Sequence, residues 1–479
     1  MGKLLKYIIF LSVIFYLHEK NAVSQQQFTV EKQQFCSQEF DESSPAYYKN
    51  GIVFCSNKKN DFLISYRDTS EEGQRLYDLF FTSPKKDSKK WTSPIALSNG
   101  INTLFNEGPC CFYNDSANIA FSRNIFTDKK FGSSMKSGNY MGIFFADFSD
   151  DKWINVRPFE YNSTTYNVMH PSLTKDGKRM FFASDMPGGF GGFDIYVTNF
   201  SNGHWSKPVN LGKNVNTESN EAFPFIHSSG RLFFASKGWN SKGGFDIFFT
   251  QELENDWIQP QNMKEPFNST SDDFGFIADE SLQSGYFTSN RGHSDDIYSF
   301  KSIISEFDDC KPQQKNNFCY IFYENGTSEG DITGTMKYEW ELGDGTKIRG
   351  LQAEHCFEKV GKYIVKLNVI DTLTGEVLMN QAQYEFEVEE IEQPIITAPE
   401  VAIAGEPISF DSKKSNLKNF RVAKYYWDFD DGLKGIGETV SHVFYQEGVY
   451  DVKLQLESVA GRNGVRKSCI YRSIAIKKK

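Results

Sequence analysis

The stretch HPSLTKDGKRMFFASD (170–185), followed by FDIYVTNF (193–200) and WSKPVNLG (205–212), decides the fold, because it recurs. The next copy reads AFPFIHSSGRLFFASKG (222–238), FDIFFTQ (245–251) and WIQPQNM (257–263). A third, FGFIADESLQSGYFTSN (274–290) with DDIYSF (295–300), stops before its tryptophan. Upstream lie two weaker copies, SPAYYKNGIVFCSN (44–57) with YDLFFTS (77–83), and GPCCFYNDSANIAFSRN (108–124) with MGIFFADF (141–148). Trp91, Trp153, Trp205 and Trp257 stand 62, 52 and 52 residues apart and mark the period.

Each unit consists of short aromatic runs split by turn dipeptides such as Asp176-Gly177, Ser229-Gly230 and Gly188-Gly189. These close tight hairpins, since Gly and Asp accept backbone angles that other residues avoid. A repeat of about 50 residues with four short antiparallel strands is one blade of a β-propeller. The spacing predicts about five blades. The last copy lacks its outer strand and residues 26–34 precede the first without one, so the N-terminal strand is expected to complete the last blade and remove an open edge. The copies resemble exported TolB-like (WD40-like) propeller repeats. Pro171 to Gly177 matches that family's hairpin, and Asp194-Ile195-Tyr196 and Asp296-Ile297-Tyr298 match its Asp-Ile-Tyr strand, with Asp246-Ile247-Phe248 close to it. Recurring in every good copy, Asp194, Asp246 and Asp296 are expected to hold amides of their own blade rather than a ligand around the ring.

The last 165 or so residues repeat with a different period. YEWELGDG (338–345) matches YYWDFDDG (425–432), an offset of 87 set by Trp340 and Trp427. His355-Cys356-Phe357 matches His442-Val443-Phe444, and Gly361 to Leu367 matches Gly448 to Leu454. Alternating apolar residues in both copies predict two tandem β-sandwiches. Their Trp, Asp-Gly, His and Tyr positions resemble polycystic-kidney-disease (PKD) domains, which implies immunoglobulin-like folds. The expected organisation is therefore all-β: a signal peptide over 1–24, a propeller over 25–302, and PKD-like sandwiches over 303–392 and 393–479. His355 and His442, duplicated with the fold, are expected to bond the neighbouring turn. The run Asp428, Asp430 and Asp431 invites calcium, because clustered carboxylates on a turn suit a hard cation. A solvated turn capped by its own Asp side chains is the competing reading.

Lys3 and Lys6, an apolar stretch from Tyr7 to Leu17, and Ala22-Val23-Ser24 form the basic head, short core and small-residue exit of a secretory leader. Export makes the eight cysteines disulfide candidates. Cys319 with Cys356 is the first pairing expected, with Cys310 a competing partner for either, and Cys36 with Cys55 the second. No Cys/His set has zinc spacing.

A net charge of −10 with 52 basic and 62 acidic residues argues against nucleic-acid binding. The absence of a Gly-x-Ser-x-Gly elbow, P-loop or His-Glu-x-x-His run, and the scatter of His170, His227 and His293 over non-equivalent positions, lead to the expectation that the chain is not an enzyme and needs no cofactor. A chain of rigid modules points to binding or scaffolding. The combination resembles cell-envelope proteins of gliding Gram-negative bacteria. That resemblance implies a periplasmic or outer-membrane place and partners in a type IX secretion or gliding assembly. The alternative is a surface glycan-binding module, with Trp239 stacking on sugars or else packing its own blade.

Overall fold

The structure, a computed structural model, describes residues 28–58, 76–125, 140–323 and 334–478, apart from positions 87, 89, 99, 104, 255, 305, 306, 308 and 463. The leader over 1–24 lies outside the described residues. Among those described there is no helix, and so none long and apolar enough to cross a membrane.

Five antiparallel sheets form a ring, each inner strand packed on the next and the last on the first. The inner strands are Glu42–Tyr48, Glu107–Tyr113, Val168–Leu173, Glu221–Ile226 and Asp273–Ala278. Strand alternation drives the packing: on Gly51–Ser56, Val53 and Cys55 face blade 2, whereas Ile52 and Phe54 face blade 5. Each seam thus receives one apolar face from both neighbours. Trp91, Trp153, Trp205 and Trp257 cover the first four seams, 5–1 through 3–4, each from the outer edge of the blade that follows.

At the last seam the N-terminus stands in. Phe28–Lys32 pairs antiparallel with Asp296–Ser302 as the outer strand of blade 5. Phe28 takes the tryptophan's place, its ring 5.0 Å from Phe267 and 5.5 Å from Phe300.

A polar clamp repeats alongside. In blades 1 to 4, Asn102, Asn162, Asn216 and Asn268 each accept from the backbone N–H, and donate to the C=O, of one residue on the third strand: Leu79, Ile143, Ile195 and Ile247. After Asn102, Asn216 and Asn268 the next residue's amide donates to a buried acid opening the following inner strand: Thr103 to Glu107 at 3.0 Å, Thr217 to Glu221 at 2.7 Å and Ser269 to Asp273 at 2.6 Å. In blade 5 the closing segment supplies both parts: Ser37 donates to Glu42 at 3.0 Å, and Cys36 occupies the asparagine's position on Ile297.

The two sandwiches follow. The first joins Met336–Glu341, Lys347–Arg349, Gly361–Asp371 and Val377–Val388 in one sheet, with Cys319–Tyr323 and Gln352–Cys356 in the other. The second repeats this plan around Trp427, and both tryptophans are fully buried. Lys311–Pro312, expected in the first sandwich, instead adds a parallel strand to the second by pairing with Ile470 and Tyr471. A Cys310–Cys469 disulfide fixes that crossing, and a Cys319–Cys356 disulfide joins the small sheet of the first sandwich.

The expected Cys36–Cys55 bridge does not form, and both are free thiols. Strand parity is the reason: Cys55 points into the seam between blades 1 and 2, whereas Cys36 lies in the seam between blades 5 and 1.

Because closure rests on one strand, deleting residues 25–40 is expected to cost about 3 kcal/mol or more through loss of Phe28 and Phe35 alone. Thermal unfolding checks this, and an unchanged midpoint would contradict it.

Candidate functional site: an axial channel beside a docked sandwich

Every inner strand carries a bulge at the same place. A residue with positive φ, namely Ser44, Gly108, His170, Phe223 or Gly275, interrupts the register, and in blades 1 to 4 a proline follows it. The bulge turns its amide toward the preceding blade in three cases: Ser44 N–H donates to Thr288 Oγ1 at 2.8 Å, His170 N–H to Ser122 Oγ at 2.9 Å and Phe223 N–H to His170 Nδ1 at 3.3 Å. At Gly275 a side chain would crowd the Ser44 Cα at 3.1 Å, so glycine suits that bulge.

Inside the bulges runs an axial channel of about 1050 Å³. Its wall alternates rings (Tyr47, Phe112, Phe223, Phe225, Phe276) with hydrogen-bonding groups (Ser172, Ser228, His227). His170 stacks on Phe223 at 4.0 Å and its Nδ1 accepts the Phe223 N–H at 3.3 Å, which leaves the ring proton on Nε2. Burial holds its pKa down at about 3, so the channel presents a neutral imidazole. His227 bonds Ser229 Oγ through Nδ1 and the Asp279 carbonyl through Nε2. His170 and His227 thus share the channel from non-equivalent repeat positions, whereas His293 does not line it. At the mouth Lys175 of blade 3 reaches Glu280 of blade 5 at 3.3 Å.

The second sandwich docks at this mouth. Its Asp431 meets Arg231 of blade 4, whose Nη2 donates to Oδ2 at 2.9 Å and whose Nη1 donates to the Asp431 carbonyl at 2.9 Å. Arg231 is buried and Asp431 largely so, at 3% and 11% exposure. The repeat explains why Arg231 is available. Arg179, its counterpart in blade 3, pairs with Glu252 of the following blade at 2.8 Å. The counterpart of Glu252 in blade 5 is Ser302, which carries no charge, and Asp431 supplies the missing carboxylate. Around this pair Gln261 donates to Tyr445 Oη at 2.8 Å and Gln283 to the Gly432 carbonyl at 3.2 Å. Gln446 donates to the Ser229 carbonyl at 3.3 Å and forms part of the channel wall.

The other residues singled out in the sequence are structural in their contacts. Asp194 accepts from the amides of Phe190 and Gly191 and from Asn210, and Asp246 accepts from Lys242 N–H and Asn262. Asp296 instead ion-pairs with Lys32 at 2.7 Å. His355 bonds Asp344 at 2.6 Å, and His442 bonds Asp431 at 2.8 Å while stacking on Phe429. The carboxylates expected to suit calcium are turned to separate partners: Asp428 caps Asp430 N–H, Asp430 accepts from Asp451 N–H, and Asp431 is held by Arg231, His442 and Leu433 N–H. Trp239 donates Nε1–H to the Val215 carbonyl at 2.8 Å and packs on the core between blades 3 and 4.

Sequence reasoning did not find Arg231, Gln446, Tyr47 or the clamp asparagines. A signal existed for the last: Asn followed by a hydroxyl residue recurs at 102, 162, 216 and 268.

The PKD domain family matches residues 311–377 and 391–471, so the C-terminal region holds two PKD domains. These domains and the two disulfides fit an exported or extracellular protein. Over 76 residues the chain is 36% identical to collagenase ColA of Clostridium perfringens, covering 16% of this chain and only 6% of that relative. Among solved structures it is similar to an exo-β-1,3-galactanase from Clostridium thermocellum, at 11% identity and TM-score 0.36 over 94% of this chain and 99% of that one. It is also similar to a family 117 glycoside hydrolase from Zobellia galactanivorans, at 10% identity and TM-score 0.35 over 59% and 92%.

The expectation that the chain is not an enzyme is corrected by these neighbours. Glycoside hydrolases stand among them. Likeness at this identity concerns fold alone and carries no chemistry across.

Removing one partner of a buried ion pair costs about 3–5 kcal/mol, so Arg231→Ala is expected to release the second sandwich from the propeller. Small-angle scattering checks this through a larger radius of gyration, and unchanged dimensions would contradict it. Stability has a pH sign as well. Burial alone would raise the Asp431 carboxyl, but His442 and Arg231 outweigh it and hold it below its ordinary range. Asp431 in the unfolded chain therefore takes up its proton first, and this carboxyl's contribution to folding is complete above about pH 4 and is lost as pH falls below it. Thermal unfolding of the native chain and Asp431→Asn at descending pH reads this, and a difference between them that grows on acidification would contradict it.

Proposed function

We propose that this is an exported carbohydrate-binding protein whose ligand enters the axial channel, with the second PKD domain as a fixed part of its wall. One observation carries the reading: Gln446, held over blade 4 by the Arg231–Asp431 pair, completes a channel otherwise lined by propeller residues. The lining favours sugars over purely apolar ligands. Aromatic faces stack on the C–H side of a pyranose, while hydroxyl, imidazole and amide groups between them match its hydroxyls. Tyr47, 38% exposed on the wall, is the ring most open to such a ligand.

A place in the cell envelope, periplasmic or at the outer membrane, belongs to the same proposal and rests on the propeller–PKD combination. A second reading, a partner role in an outer-membrane secretion or gliding assembly, is favoured by the first PKD domain. Its small sheet turns Ile321 and Tyr323 outward at 60% and 58% exposure.

A glycan array followed by calorimetry tests the first reading. The expected result is a saccharide whose affinity falls about tenfold in Tyr47→Ala, the loss of roughly 1.4 kcal/mol of stacking. Bound oligosaccharides are also examined by mass for shortening. Absence of saccharide binding, or equal binding by Tyr47→Ala, would overturn the reading. Co-purification of envelope proteins that depends on Ile321 and Tyr323 would support the second.

A further inference from the structure

The ring closure differs from the other seams in one chemical respect. Where blades 1 to 4 place an asparagine amide against the third strand, blade 5 places the Cys36 thiol. The substitution is a poor replacement in hydrogen-bonding terms: the Ile297 N–H lies 3.3 Å from Sγ and the Ile297 carbonyl 3.8 Å away, against 2.7 and 2.8 Å for the Asn268 clamp on Ile247. A sulfur that bonds the backbone weakly has a different use available. Cys36 Sγ, one oxygen of Glu42 and one of Asp296 lie within 4.8 Å of one another.

Both acids are buried, and Asp296 is fully so. Asp296 engages Oδ2 with Lys32 at 2.7 Å and with Ser294 Oγ at 3.2 Å. Its Oδ1 is buried without a hydrogen-bonding partner. Blade 4 serves as an internal comparison. Asp246 Oδ1 is left in the same condition, and Asp273 stands where Glu42 does, but the third position there is Asn268. The acid pair is thus a property of the repeat, and blade 5 alone adds a soft donor to it.

We propose that Cys36, Glu42 and Asp296 bind a divalent transition-metal ion of the zinc class, clamping the N-terminal segment to blade 5. Thiolate plus two carboxylates suits a borderline-soft cation and not calcium or magnesium, which take oxygen alone. Three protein ligands leave a fourth position for water. Lys32 holds Oδ2, and Oδ1 has no hydrogen bond to give up on coordination. Binding replaces the thiol proton, so one proton is released for each ion bound.

The test uses the mature chain freed of metal by chelator and titrated with Co²⁺, then Zn²⁺. A thiolate-to-cobalt charge-transfer band is expected to saturate at a single equivalent, to vanish on Zn²⁺ addition, and to be accompanied by a raised melting temperature. Cys36→Asn installs the residue the other four blades use, so it is expected to fold with a metal-free melting curve at least equal to the native one. It should show neither the band nor the metal-dependent rise. No band in the native chain would overturn the proposal. So would the same band in Cys36→Asn, which would place the thiolate at Cys55, Cys110 or Cys111.

Discussion

The seam between Phe28–Lys32 and Asp296–Ser302 is the constraint on which the rest of the molecule depends. A five-bladed ring buries its apolar faces only between blades, so one open seam exposes two of them and leaves a row of unpaired backbone groups. The propeller closes that seam by splitting a blade between its two ends. The N-terminal segment then has to reproduce every part an outer strand supplies elsewhere. It does so with substitutes: Phe28 for tryptophan, Lys32 for the asparagine that meets the blade's aspartate, Cys36 and Ser37 for the Asn-hydroxyl clamp. Closed, the ring fixes the five bulged inner strands around a common axis, and the channel is their consequence.

Repetition and divergence together produce the two-domain arrangement. Arg179 and Arg231 began as equivalent positions, and so did Asp344 and Asp431. Arg179 finds Glu252 in the neighbouring blade, whereas Arg231 faces a blade without that acid and recruits the PKD carboxylate instead. Asp344 keeps only bonds within its own sandwich, to His355 and to the Thr346 N–H. The same loop is therefore a free turn in one sandwich and a buried anchor in the other. The difference lies in the propeller, not in the loop.

The architecture was legible because it is written in periods. Tryptophans 52 residues apart and a second offset of 87 identify blades and sandwiches, and the missing outer strand of the last copy foretells the closure. What escaped the sequence was anything decided by direction or by contact between distant repeats. Cys36 and Cys55 looked like partners by proximity, but one residue of strand parity separates Cys55 from the seam in which Cys36 sits. The clamp asparagines lie in loops of varying length, and Asn268-Ser269-Thr270 has the appearance of a glycosylation sequon although Asn268 is buried against Ile247. No pattern in one dimension relates Arg231 to Asp431, which makes the docking face, and with it Gln446 in the channel wall, invisible until the chain is folded.

Native-state hydrogen exchange across Phe28–Lys32 measures the closure most directly. Slow exchange, matching that of Asp296–Ser302 and lost together with it in a single opening event, is the predicted result. Exchange of the N-terminal strand at the rate of an unstructured tail, with the rest of the ring still protected, would contradict it.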